Sequence, residues 1–239
     1  MSTRHSQSPH AENSLTSKAL AKIIDHTHLR PDATREQIAS LCDEAKQYGF
    51  GAVMVNACYV ELACSKLNGA DAKVGAVIGF PLGATLTSVK VYEAKQALRL
   101  GAREIDMVLN VGGLKSADQR FVAEDIRAVA EVVHGKKALL KVILETVLLT
   151  EEEKVTACRL SARAGADFVK TSTGFLGGGA TVADVELMRR TVGTKLGVKA
   201  SGGIRSAEDA RKMIEAGANR LGTSSGVTIV REWREQSES

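Results

Sequence analysis

Residues 167–173 read DFVKTST and residues 196–202 read LGVKASG. Each is a short run of aromatic, small and β-branched residues that suits a buried strand, and each carries a lysine where the apolar run stops. Six more runs of this kind occur: KIIDHTHL (22–29), GAVMVNA (51–57), KVGAVIGF (73–80), REIDMVLNV (103–111), ALLKVILET (138–146) and NRLGTSS (219–225). Amphipathic helical stretches separate them. TREQIASLCDEAKQYG places Ile38, Leu41, Cys42, Ala45 and Tyr48 at helical spacing, with Gly49 as a stop. TSVKVYEAKQALRLG and TEEEKVTACRLSARAG also end on glycine. Thr150 followed by Glu153 forms a capping-box pattern, and Ser206 opens SAEDARKMIEAG as an N-cap.

Eight strand–helix units with short connections predict parallel pairing and right-handed crossovers. The fold class is therefore α/β, a single (β/α)8 TIM barrel, and 239 residues fit that barrel. A doubly wound open sheet is the alternative. The first strand has no following G-x-G-x-x-G turn, which weighs against its dinucleotide-binding form. The polar, aperiodic start MSTRHSQSPHAENS predicts a tail over 1–14, then one catalytic barrel over 15–232 and a short tail over 233–239.

A hydrophobic share of 44% supplies a sizeable core. The net charge of +4 suits an anionic small molecule, while aromatics at 4% leave few stacking platforms for nucleic acid. Cys42, Cys58, Cys64 and Cys158 show no C-x-x-C spacing and read as reduced thiols in a cytoplasmic protein. No apolar run reaches the ~18 residues of a membrane span.

Strand side chains alternate between barrel interior and helix layer. In EIDMVLN, Asp106 and Val108 oppose Ile105, Met107 and Leu109. In LLKVILE, Lys141, Ile143 and Glu145 oppose Leu140, Val142 and Leu144. Lys170 opposes Val169, and Lys199 opposes Val198 and Ala200. Strands four to seven can thus aim Asp106, Lys141, Lys170 and Lys199 inward, with Lys170 and Lys199 at the C-terminal strand ends where such barrels place their chemistry. A single lysine at a strand end more often snorkels to solvent or pairs with a carboxylate. Three lysines and an aspartate on one side ask for another account.

A free lysine, with pKa about 10.4, is neutral in roughly one molecule in 10³ at pH 7. A pKa of about 7 would make half of it nucleophilic, a shift worth about 4.6 kcal/mol. Burial favours the neutral amine, and so does a second ammonium nearby. Lys170 is then a Schiff-base nucleophile for a carbonyl substrate, Lys199 the group that tunes it, and Asp106 a general acid/base. The glycines of STGF (Gly174), SGGI (Gly202, Gly203) and LGTSSG (Gly222, with Ser224 and Ser225) suit a phosphate site in the last loops. FLGGGAT (175–181) reads as a flexible loop with only a weak claim to touch a ligand.

In chain order, DHTHL, GFPLGAT, EIDMVLNVGGLKS, KVILET, VKTSTGF and VKASGGI resemble deoxyribose-phosphate aldolase, a class I aldolase family with a (β/α)8 fold. The likeness runs from about Leu20 to Gly226. It implies reversible cleavage of 2-deoxy-D-ribose 5-phosphate to acetaldehyde and D-glyceraldehyde 3-phosphate, in deoxyribonucleotide catabolism, through an iminium on Lys170 and an enamine. It implies no metal or organic cofactor, a small phosphorylated sugar as the partner molecule, and a possible homodimer. It maps Lys170, Lys199 and Asp106 to the catalytic positions and Asp25 and Thr27 to polar positions near the sugar. It also places Lys141 and Thr171 in the substrate site, and Gly174, Gly202, Gly203, Gly222, Ser224 and Ser225 at the phosphate. Three residues depart from the family pattern: His28 stands where leucine is usual, Ala57 where proline is usual, and Leu86 interrupts a threonine run. Some members end in a tyrosine that reaches the active site; here the end reads REWREQSES. If Trp233 covers a helix surface instead, proton transfer rests on Asp106, Lys199 and water.

Two other readings have a foothold. His26 and His28 share one face of the first strand, as a metal-dependent barrel hydrolase would require, but the other histidines are His5, His10 and His134, none on strands five or six. A non-catalytic phosphate-binding barrel would keep the glycine loops and give Lys170 no covalent role.

Overall fold

The computed structural model describes residues 15–238. Eight strands close into one parallel barrel in the order of the chain. They are β1 (Ile24–His28), β2 (Ala52–Val55), β3 (Lys73–Ile78), β4 (Glu104–Val108), β5 (Leu139–Ile143), β6 (Phe168–Lys170), β7 (Gly197–Ser201) and β8 (Arg220–Thr223). Each lies within one of the eight predicted runs. Closure comes from β8 pairing in parallel with β1, Ile24 beside Leu221 and His26 beside Thr223. An open doubly wound sheet would leave those edges apart, so that alternative is excluded.

The helix layer begins with α1 (Ser17–Lys22), which packs on α10, and continues with α2 (Arg35–Tyr48), α3 (Val60–Lys66) and α4 (Thr87–Arg99). It is completed by α5 (Val111–Lys115), α6 (Gln119–His134), α7 (Glu151–Ala164), α8 (Val182–Val192), α9 (Ala207–Glu215) and α10 (Gly226–Glu238). The predicted caps form: Thr150 and Glu153 make a reciprocal capping box, Ser206 makes one with Asp209, and Gly49 ends α2 in the left-handed conformation. The boundary expected at 232/233 falls inside α10, where Trp233 is buried and donates from its indole to the Leu15 carbonyl (2.8 Å). The tail expected over 1–14 lies outside the described residues.

The apolar core sits between strands and helices. Ile105, Met107 and Leu109 of one parity, and Leu140, Val142 and Leu144 of the next strand, all belong to it. The opposite parity fills the barrel interior, so the alternation read from the sequence is the alternation of the fold. Inward glycines make room for large neighbours. A Cβ on Gly197 would lie 2.0 Å from the Phe168 ring, and one on Gly222 would lie 2.9 Å from Cε of Lys199.

β6 is short for a reason that matters below. Past Lys170 the Thr171 N–H still donates to the Lys199 carbonyl (3.1 Å), and side-chain bonds then take over from the ladder. The Thr171 hydroxyl donates to the Ser201 carbonyl and accepts from its N–H, both at 3.0 Å, and Thr173 binds the Glu145 carboxylate. Lys170 is therefore the last residue of β6, at the mouth of the barrel.

Candidate active site

The inward charges predicted from strands four to seven meet at one place. Asp106 on β4 takes an ion pair from each of three lysines: Lys141 (2.8 Å), Lys170 (2.9 Å) and Lys199 (2.8 Å). Asp25 on β1 joins from the other side, bonded to Lys199 and 3.2 Å from Lys141. Asp25, Asp106, Lys141 and Lys199 are 0% exposed, and Lys170 is 3% exposed.

Burial penalises every charge here, so the carboxylates and amines must stabilise one another. Burial raises Asp106, but Lys141, Lys170 and Lys199 outweigh it and hold the carboxyl well below the usual range. Burial likewise raises Asp25, and Lys141, Lys199 and Arg220 reverse it. Lys141 is pulled down by burial, yet Asp106, Asp25 and Glu104 together hold it above the ordinary lysine value. Lys170 goes the other way. Its one ion-pair partner among the described residues is Asp106, which it shares with two other ammoniums. Burial, with repulsion from Lys199 and Lys141, outweighs the pull of Asp106 and lowers the amine from 10.5 to about 8. At pH 7 about one tenth of it is then neutral, roughly 300-fold more than in free lysine. The second-ammonium effect expected of Lys199 is present; the shift stops short of 7.

Above this network lies a cavity of about 470 Å³. Of the charged network only Lys170 reaches its wall. Thr27, Gly174, Gly202, Gly203, Gly222 and Ser224 also line it, as the sequence reading places them. Gly174, Gly202 and Gly203 all have positive φ, at +84°, +86° and +79°, which turns loop backbone where a side chain would resist. The 13-residue helix α10 starts two residues after Ser224, with Gly226 against Phe50 and His26. Two predicted residues stand behind the wall. Thr171 is a strut between β6 and β7, and Ser225 gives its N–H to the Thr223 hydroxyl (2.9 Å).

FLGGGAT differs from its reading. Gly177, Gly178 and Gly179 form part of the cavity wall, and Ala180 donates to the Gly202 carbonyl (3.0 Å). Gly179 is packed so close to that carbonyl that a Cβ would come within 2.6 Å. Of the three departures, His28 lies on the cavity wall, whereas Leu86 is 70% exposed at the start of α4 and Ala57 opens a 3-10 turn.

Several site residues were not picked from the sequence. Arg205 and Arg30 bring positive charge to the cavity, with Arg30 held in a two-bond pair by Asp32. Glu145, just past β5, is fully buried with φ +56°, strained for a residue with a side chain. Its carboxylate accepts the Thr173 N–H (3.1 Å) and the Thr173 hydroxyl, fixing a residue of the cavity wall. Arg220 and Glu104 extend the ion network downward. Strand parity is the signal that would have found Glu104, two residues before Asp106 on the same face of β4.

The metal-hydrolase reading loses its footing. His26 faces the helix layer, pairing with Glu44 of α2 (2.6 Å) and packing on Phe50 at 4.7 Å. Among the described residues no group of three or more His, Cys, Asp or Glu is arranged to hold a metal ion. Among them, too, no helix is long and apolar enough to cross a membrane.

Residues 19–233 match the family profile described as DeoC/LacD family aldolase. A deoxyribose-phosphate aldolase of Thermococcus gammatolerans is 62% identical over 213 residues, 88% of this chain and 95% of that protein. A solved structure from Coccidioides immitis, described as a candidate deoxyribose-phosphate aldolase, superposes with TM-score 0.88 at 50% identity, over 91% of this chain and 87% of that one. A tetrameric deoxyribose phosphate aldolase from Aeropyrum pernix superposes with TM-score 0.87 at 35% identity, over 92% and 93%.

Proposed function

The chain belongs to the DeoC/LacD aldolase family, and from that premise we propose that it cleaves 2-deoxy-D-ribose 5-phosphate reversibly to acetaldehyde and D-glyceraldehyde 3-phosphate, with Lys170 as the covalent nucleophile. One observation carries the residue assignment. Lys170 is the one member of a buried charge network that reaches the cavity, and its amine is held near 8.

The chemistry follows from the groups present. Neutral Lys170 adds to C1 of the open-chain sugar, and water leaves to give an iminium. The bond that breaks is C2–C3, because acetaldehyde carries C1 and C2; a break between C3 and C4 would give fragments of the wrong size. The electron pair of C2–C3 moves toward the iminium nitrogen, and the C3 hydroxyl loses its proton as it becomes the aldehyde of the triose. C2 of the resulting enamine then gains a proton, and water releases acetaldehyde and regenerates the amine. Asp106 is 2.9 Å from the Lys170 amine and serves as the general acid/base for these transfers. Lys199 keeps Lys170 from holding its own proton, and Lys141 and Asp25 hold Asp106 and Lys199 in place. The Gly202–Gly203 and Gly222–Ser224 loops and Arg205 take the phosphate. Thr27 gives its hydroxyl to the Asp25 carbonyl (2.8 Å) and presents its oxygen beside the sugar.

Exposed apolar side chains three apart along the start of α4, Leu86 at 70%, Val89 at 40% and Tyr92 at 63% exposure, support association with a second copy as a homodimer. Light scattering on the purified chain tests that. The activity is tested by incubating the protein with deoxyribose 5-phosphate and coupling the triose to a dehydrogenase, with and without borohydride. Turnover that borohydride abolishes only when substrate is present supports the covalent route. Borohydride-insensitive turnover would favour a phosphate-binding barrel with some other chemistry.

A further inference from the structure

The ion network has a lower storey that the chemistry above does not use. Arg220 on β8 and Glu104 on β4 come from strands four apart in the closed order and meet across the barrel interior. Arg220 Nη2 is 2.5 Å from Glu104 Oε1, and its Nε is 3.2 Å from Asp25 Oδ1. Glu104 Oε2 is 2.5 Å from Lys141. Neither side chain reaches the cavity; they are 13% and 4% exposed. Asp25 Oδ1, Glu104 Oε2 and Arg220 Nε make no well-directed hydrogen bond among the described residues. One directed hydrogen bond, Arg220 Nη2 to Glu104 Oε1, and proximity of charge at the other atoms hold this layer.

The charges of the whole set can be counted by sign. Asp25, Glu104 and Asp106 are anions, and Lys141, Lys199 and Arg220 are cations outside the nucleophile. Three balance three, so this ion-paired set is neutral when Lys170 is neutral; Glu145, bonded to Thr173 outside the set, is the same in every variant compared below. Protonating Lys170 adds an uncompensated positive charge to a buried site. We propose that Arg220 and Glu104 are positioning residues for the Lys170 chemistry, fixing the charge that the barrel interior presents to the amine. They act through Asp25 and Lys141, which they touch, and not by contact with substrate. The inference rests on Lys170 being the Schiff-base lysine.

Other groups around Lys170 do not disturb the count. Its register neighbours are Ile143 on β5 and Lys199 on β7; its amine pairs with Asp106 of β4, feels Lys199 and Lys141 as like charges, and is linked to Asp25 of β1 only through Lys199. β2 and β3 turn Met54 and Val77 inward, both uncharged. Glu145, past the end of β5, is bound to Thr173, while His28, Arg30 and Arg205 stand on the cavity wall toward solvent. Arg220 itself also faces the Phe168 ring, at 5.8 Å.

The sign of each substitution follows. Removing Arg220 leaves the interior one charge more negative, which favours the ammonium and moves the amine's titration to higher pH. Removing the Glu104 charge does the reverse. The test traps acetaldehyde on the full-length protein with cyanoborohydride across a pH series, reading the ethyl group left on Lys170 by peptide mass spectrometry. Relative to wild type, R220M should move the trapping midpoint up by about one pH unit and E104Q down by about one. The double variant E104Q/R220M should return near the wild-type midpoint. R220K keeps the charge and loses the fork, so it should keep the midpoint even if the trapping rate falls. If R220M does not fold by circular dichroism, E104Q and R220K decide the matter. A common midpoint for all variants, or R220M and E104Q moving it the same way, would overturn the proposal. Wild-type protein that gains no ethyl group on Lys170 would instead overturn the Schiff-base reading beneath it.

Discussion

The helix layer buries a lysine as completely as the barrel mouth does. Lys90 in α4 is 0% exposed, and its ammonium has two acceptors of its own: Asp125 (2.6 Å) and the Val108 carbonyl (3.0 Å). The second oxygen of Asp125 takes the Thr87 hydroxyl (2.7 Å), so that pair is closed. Lys170 has one carboxylate and shares it with Lys141 and Lys199. The first arrangement fixes a charge, and the second leaves an amine short of acceptors beside a cavity. A buried lysine is therefore no sign of chemistry by itself. The number of acceptors per ammonium and access to a cavity separate the two roles.

The largest effect that could break this comparison is on turnover. K170L should bring the rate below about one thousandth of wild type, since the covalent route is gone. It should not lower thermal stability, because Asp106 keeps Lys141 and Lys199 while a poorly compensated buried amine is removed. The coupled assay and a melting curve check both halves; a large fall in melting temperature would mean that Lys170 is structural as well.

K90M should do the converse. It strands the buried Asp125 carboxylate and should cost about 3–5 kcal/mol of stability, seen as a melting temperature lower by about 10 °C. The trapping midpoint of Lys170 should stay where it was. K90M/D125L, with both charges gone, should recover most of the loss, and failure to recover would argue against a closed structural pair.

A smaller effect is expected at Glu145. E145Q replaces one acceptor of the Thr173 contacts with an amide, and kcat/KM should fall by about tenfold, equivalent to about 1.4 kcal/mol. A fall of that size with an unchanged trapping midpoint would sharpen the comparison, separating residues that shape the cavity from those that set its charge.

The same contrast explains what the sequence made legible. Period-2 alternation placed Asp106, Lys141, Lys170 and Lys199 in the interior because a strand offers each side chain only two directions. The eight strands were found as short apolar, β-branched runs, and the caps at Thr150, Ser206 and Gly49 came from short-range rules of backbone hydrogen bonding. Lys90 escaped notice because a lysine on an amphipathic helix ordinarily faces water; its partner Asp125 is 35 residues away on α6. Arg220, Glu104 and Glu145 also depend on partners distant in the chain, and parity offered a signal only for Glu104. Thr171 was assigned to the substrate site by resemblance, but its hydroxyl is spent on Ser201. The loop at 175–181 read as loose because glycines are permissive, whereas here they allow backbone to pack on backbone beside Gly202.

The most direct test is the titration of the Lys170 amine in the wild-type protein. Deoxyribose 5-phosphate is trapped with borohydride over a pH series, and the adduct on the Lys170 peptide is quantified by mass spectrometry. The amine is held near 8, so trapping should rise with pH through a midpoint about there and fall roughly tenfold per unit well below it. A midpoint at the ordinary lysine value of 10.5, or an adduct on a different lysine, would contradict the account.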